Sequence, residues 1–165
     1  SRNGMTFITY LLAALVAFSG VIIGAVLALN TREEMPTARK YFPLLQKVLF
    51  VAIISVFLNF FKFGLVIKLL IYALVIFSIL RKPALNSYVI LAVIFFLLGQ
   101  GQQSLFLVSI FIFLYGFPTG SLFIIRNKRM EWLEAVKKVT LKYGIFLVIA
   151  IALQFLYSVF VLKTI

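Results

Sequence analysis

The chain of 165 residues contains no cysteine, no histidine and no aspartate, and its acidic residues are four glutamates. Without cysteine there are no disulfides, thiolate nucleophiles or thiolate metal sites. Without histidine the usual partner of a serine nucleophile is missing, as is the commonest metal ligand. Glu33, Glu34, Glu131 and Glu134 all lie beside basic residues rather than inside an apolar run. No buried carboxylate or imidazole is therefore expected to couple transport to protons. The sequence predicts no catalysis by this chain, no metal and no cofactor.

What the chain has instead is apolar bulk, with 64% hydrophobic residues, 19 Phe and 7 Tyr. Its mean hydropathy is +1.18, which would leave a soluble domain of this size too little polar surface. Between Lys82 and Arg126 there is no charge, and the run is broken only by Gly99-Gln100-Gly101-Gln102-Gln103-Ser104, which reads as a hairpin turn. A span needs about 20 apolar residues. On that requirement the sequence predicts six segments, at 6–29, 41–61, 65–80, 84–98, 105–125 and 143–162. The expected fold is an all-α integral membrane protein, a bundle of about six transmembrane helices arranged as three hairpins closed on the cytoplasmic side. Residues 1–4 read as a tag remnant ahead of Met5, and 5–165 as one transmembrane domain. The alternative for 84–98 and 105–125 is a re-entrant pair, which would put Gln100, Gln102 and Gln103 at membrane depth.

Basic residues set the expected orientation. Arg32, Arg39, Lys40 and Lys47 follow the first segment, Arg81 and Lys82 the third, and Arg126, Lys128, Arg129, Lys137, Lys138 and Lys142 the fifth. Lys62, Lys68 and Lys163 remain for the other side. By the positive-inside rule the rich loops face the cytoplasm of a plasma membrane and both termini lie outside. The first two segments and the last two share a loose pattern, Gly24 to Leu58 against Gly120 to Leu156, with Arg39-Lys40 matching Lys137-Lys138; this suggests a pseudo-symmetric bundle as one reading.

Few residues are left to line a polar path. Lys62 and Lys68 could share one face of the third helix and bind an anion, or snorkel to headgroups from its outer end. Asn59 and Gln154 are amides near apolar segments, suited to interhelical hydrogen bonds or to substrate contact. Pro118 removes a helix hydrogen bond, and Thr119 beside it can satisfy freed backbone groups. With Tyr115 just before them, these residues make the fifth segment the expected pocket lining.

The loops offer a different chemistry. Read at helical spacing, Met130, Leu133, Val136 or Lys137, and Leu141 form an apolar stripe beside Trp132, with Lys128, Arg129, Lys137, Lys138 and Lys142 around it. Such a helix would lie on the inner membrane surface and meet anionic lipid. Glu33, Glu34, Arg39, Lys40, Arg126, Glu131 and Glu134 join these as candidate contacts for headgroups or a docking partner. The formal net charge of +12 is placed by topology and accompanies no nucleic-acid motif, so lipid rather than nucleic acid is the expected polyanion. Two functions follow as expectations. One is a small transporter, channel or lipid-translocating protein, as a homo-oligomer or part of a larger complex. The other is a non-catalytic membrane subunit that docks a partner through its basic loops.

Overall fold

The computed structural model describes residues 7–31, 35–80, 87–127 and 131–163. Among these the chain is all-helical. Seven helices follow in order: α1 (Phe7–Asn30), α2 (Met35–Phe60), α3 (Leu65–Leu80), α4 (Ser87–Leu98), α5 (Gln102–Arg126), α6 (Trp132–Tyr143) and α7 (Ile145–Lys163).

Three of them, α1, α2 from Arg39 and α5, are long and apolar enough to cross a membrane. A fourth crossing arises if α6 and α7, bent by 41° at Gly144, are taken as one broken span. At a 1.5 Å rise per residue α3 is about 24 Å long and α4 about 18 Å, short of the roughly 30 Å hydrocarbon layer. Length and composition thus single out three or four spans, where sequence reading expects six.

The element boundaries differ from expectation in two instructive places. α2 starts at Met35 rather than 41, because Arg39 and Lys40 continue the helix beyond its apolar part. Pro43 lies within it. The polar turn between α4 and α5 is shorter than the sequence suggests: Gln102 and Gln103 already belong to α5, and Leu105 N–H bonds the Gly101 carbonyl at 2.9 Å.

The centre of the bundle is α1 against α5, which run parallel. Gly20 of α1 meets the Phe113 backbone, Gly24 meets that of Phe117, Gly116 of α5 meets Gly20 and Val21, and Gly120 meets Val21 and Ala25. A Cβ at any of the four would collide with main-chain atoms of the other helix. Two small-xxx-small pairs, Gly20/Gly24 and Gly116/Gly120, therefore bring the backbones into direct contact, the geometry that lets dispersion stabilise helix pairs where no hydrophobic drive exists. Ser121 Oγ adds a 2.9 Å hydrogen bond to the Gly24 carbonyl. Ala14, Ala17 and Ala25 continue the small, buried stripe of α1.

Around this pair α2 packs on α5, and α4 packs mainly on α7. Phe146 links them, with its ring 5.5 Å from Phe95 and 6.1 Å from Tyr88. At the other end Tyr10 ties α1 in, stacking edge-on against Phe95 at 5.1 Å and donating its hydroxyl to the Ala150 carbonyl at 3.2 Å. α3 touches α2 through a Tyr72 hydroxyl to Ser55 Oγ bond of 2.9 Å and leaves Leu65, Val66, Leu69, Leu70 and Leu74 exposed.

The amphipathic helix expected around residues 126–142 is present as α6, but its buried stripe is another one. Ala135 and Val139 are fully buried and face α1, whereas Leu133 and Leu141 are exposed. Small side chains let α6 lie close against protein, and the bulky leucines are turned away from that contact.

Candidate polar site

One polar cluster forms inside the described bundle, on the side of the basic loops. Gln46 stands in α2 between Tyr41 and Phe50, in the helix's passage from charged to apolar sequence. Its Nε2 donates to Thr119 Oγ1 at 2.9 Å and to the Tyr115 hydroxyl at 3.2 Å. The Tyr115 hydroxyl in turn donates to Ser87 Oγ at 2.7 Å, in the first turn of α4. Thr119 donates to the Tyr115 carbonyl at 2.8 Å. Tyr115 and Thr119 lie one turn apart on α5, so both reach the same side, and Pro118 between them is buried. α5 runs through Pro118 as one helix, not as a broken one. Thr119 takes the Tyr115 carbonyl rather than that of Leu114, the group a proline at 118 deprives of its donor.

Aromatic rings wall the cluster. Tyr115 packs against Phe50 at 6.0 Å and against Tyr88 at 5.7 Å. Tyr88 packs against Tyr143 at 5.0 Å, and Tyr143 against Phe123 at 6.2 Å. The Tyr88 hydroxyl is buried without a hydrogen-bond partner among the described residues. Thr119 is its near neighbour: it gives its hydrogen to Tyr115 and one lone pair to Gln46, and its second lone pair is the acceptor on offer to the Tyr88 hydroxyl.

The remaining candidates separate to the far end. Lys68 Nζ donates to Asn59 Oδ1 at 3.0 Å, an exposed bond across the α2–α3 turn. Lys62 does not share a helical face with Lys68, contrary to expectation, because it sits in that turn with φ of 48°. Gln154 is buried on α7 and accepts from Gln100 at 3.2 Å, so the turn amide serves as an interhelical link. Between this pair and the Tyr115 cluster α4 and α5 contribute Leu91, Phe95, Leu98, Leu105 and Ile112, all buried.

Of the loop candidates, Arg39, Lys40, Arg126, Glu131, Trp132, Glu134, Lys137 and Lys138 are exposed. Glu134 and Lys138 pair at 2.7 Å one turn apart. Glu33, Glu34, Lys128 and Arg129 lie outside the described residues. No cluster of three or more acidic residues that could hold a metal occurs among the described residues.

No family model, curated protein or solved structure matches this chain.

Tyr115, Pro118 and Thr119 stand out in the sequence, and the fold brings them together with Gln46, Ser87 and Tyr88, which do not. Gln46 was hidden by Lys40 and Lys47 on either side, which made it look like a loop-edge residue. Ser87 and Tyr88 open α4 and are drawn in only by the packing of α4 beside α5.

Proposed function

We propose that this chain is a small multi-pass membrane protein that transports a polar solute or translocates a lipid, holding the polar part of its cargo at the Gln46–Tyr115–Thr119–Ser87 cluster. The observation that carries this reading is the cluster itself, four polar side chains from α2, α4 and α5 converging inside an apolar bundle. Packing alone would be served by apolar residues, and convergent polar groups in an apolar surround are what ligand sites present. The apolar layer of Leu91, Phe95 and Ile112 beyond it favours alternate exposure of a bound cargo over an open aqueous pore.

In this reading α1 to α5 and α7 make about six crossings, with the bilayer thinning around short α3 and α4. α6 lies on the cytoplasmic surface among anionic headgroups of the plasma membrane, and both termini face outward. The exposed apolar face of α3 is left to lipid or to a neighbouring copy.

Reconstitution into liposomes tests the proposal. A panel of small polar solutes and of fluorescent headgroup-varied lipids would be screened for protein-dependent flux, then repeated with Gln46→Leu and Thr119→Val. Flux that falls at least tenfold in both variants, with folding intact, is the expected result. Flux that ignores both variants would sink the assignment of the site.

A second reading, a membrane subunit that docks a partner, is favoured by α6, where Trp132, Leu133 and Leu141 are 54%, 74% and 73% exposed beside Lys137. Native mass spectrometry of protein extracted from its own host would reveal a partner at fixed ratio, lost on Leu133→Ser with Leu141→Ser.

A further inference from the structure

Helices α6 and α7 meet at Gly144 with a bend of 41°. Hydrogen bonds cross that bend from Gly144 N–H to the Thr140 carbonyl at 2.7 Å and from Val148 N–H to the Gly144 carbonyl at 3.2 Å. A Cβ on Gly144 would stand 2.5 Å from the Thr140 carbonyl oxygen, closer than such atoms approach, so the bend in this form requires glycine.

Tyr143, the last residue of α6, lies against the inner side of the Tyr115 cluster. Its ring packs on Tyr88 at 5.0 Å and on Phe123 at 6.2 Å, and Tyr88 packs on Tyr115 at 5.7 Å. Phe123 follows Tyr115 on α5 by eight residues, about 12 Å toward the basic end of the helix. By bridging Tyr88 and Phe123, the Tyr143 ring thus stands between the cluster and the basic loops. Lys142 beside it rests its ammonium on the same Phe123 face, 5.1 Å from the ring centre.

The rest of α6 is joined to the bundle by contact alone. Ala135 and Val139 pack against α1, and both are small enough to part without disengaging interlocked side chains. Among the described residues no side-chain hydrogen bond or ion pair ties α6 to another helix; its ion pair, Glu134 with Lys138, is internal. The cluster's own helices are by contrast stitched together by Gln46 and Ser87.

We propose that α6 is the inner gate of the Tyr115 cluster, with Gly144 as its hinge and the Tyr143 ring as its plug. The inference rests on the reading of that cluster as a binding site and adds how its inner entrance opens and closes. In the bent form Tyr143 and Lys142 close on Phe123 and the cluster is shut from the cytoplasm. Rotation of α6 about Gly144 toward the α7 axis draws the Tyr143 ring off Tyr88 and Phe123 and opens the way to Thr119 and Tyr115. Straightening the 41° bend would carry Leu133, about 17 Å from Gly144 along α6, through roughly 12 Å.

The test uses the full chain in nanodiscs, where both membrane faces meet solvent. Thr119 is 3% exposed, and the natural sequence has no cysteine, so Thr119→Cys supplies a single buried thiol. Its rate of reaction with a charged methanethiosulfonate reads the gate without reference to any cargo. Gly144→Ala, which forces the bend to relax, and Tyr143→Ala, which removes the plug and leaves the hinge, are each expected to raise that rate at least tenfold. Spin labels on Leu133→Cys and Gly64→Cys read the hinge itself, and Gly144→Ala should shift their distance distribution by an amount on the scale of that swing.

An unchanged distance distribution and an unchanged labelling rate in Gly144→Ala overturn the hinge. An unchanged labelling rate in Tyr143→Ala overturns the plug, and this variant stays decisive if Gly144→Ala folds poorly. Thr119→Cys that labels as fast as Gly64→Cys overturns the closed state. Opening in these assays with no flux of any solute or lipid leaves the gate standing and removes the transport reading. Flux that requires Gln46 and ignores both Gly144→Ala and Tyr143→Ala removes the gate alone.

Discussion

The hydroxyl of Ser121 donates a 2.9 Å hydrogen bond to the carbonyl of Gly24, across an interface where no side chain separates the two backbones. Ser121 follows Gly120 directly, so one step of α5 supplies both the gap that admits α1 and the donor that holds it. The polar cluster is built on the same helix, and its geometry depends on that contact being kept.

Gly24→Leu and Gly120→Leu should each unfold or rearrange the bundle. Overpacking of a core side chain costs typically about 1–3 kcal/mol, and here the obstacle is backbone that does not yield, so the loss should reach the top of that range or exceed it. Gly64, with nothing within 4 Å of a Cβ placed on it, is the control. Gly64→Ala should leave Tm in detergent unchanged while the two core variants fail to give a monodisperse peak in gel filtration.

Ser121→Ala removes one interhelical hydrogen bond without changing the packing. A loss of about 0.6–2 kcal/mol is expected for such a bond between membrane helices. Steric-trap or denaturant unfolding in micelles would measure it, and a loss near zero would mean that the Gly24 carbonyl is served as well by its own helix.

Lys62 carries a side chain at φ of 48°, in the left-handed region that favours glycine. Residues of this kind store about 1–3 kcal/mol of strain. Lys62→Gly should recover part of it, roughly 0.5–1 kcal/mol after glycine's larger unfolded-state entropy is set against the gain. A lower Tm in the glycine variant would show that the lysine contributes more through headgroup contact than its backbone costs.

The absence of cysteine makes orientation directly measurable. Gly64→Cys should react with a membrane-impermeant maleimide added to intact cells, and Trp132→Cys only after the membrane is opened. Labelling of Trp132→Cys from outside would invert the arrangement and move the Tyr115 cluster to the outer half of the bilayer.

Much of the helical order was legible in the sequence because charge and proline punctuate it. The limits of α3 agree with the expected 65–80, and α6 was expected from the spacing of its apolar residues among lysines. Neighbour relations were not legible from hydropathy. In a membrane chain lipid-facing and protein-facing residues are equally apolar, so leucine content does not say which face is inside. The signal that does say so is small residues four apart, and Gly20/Gly24 with Gly116/Gly120 carried it in plain sight. The same logic explains α6, where Ala135 and Val139, not Leu133 and Leu141, mark the protein contact. For the site, Tyr115 and Thr119 could be picked out as polar groups in an apolar run, whereas Gln46 and Ser87 gain meaning only from the helices that bring them there.

The parallel pairing of α1 with α5 also sets an order of events during synthesis. Asn30 ends one helix and Gln102 begins the other, so the bundle's tightest seam joins partners that leave the ribosome far apart. At about 5–20 residues per second the intervening chain takes on the order of 4–14 s to make. Throughout that interval α1 waits in the bilayer with its glycine face bare. The helices emerging meanwhile, α2 to α4, come to lie around that seam, and α6 and α7 follow it.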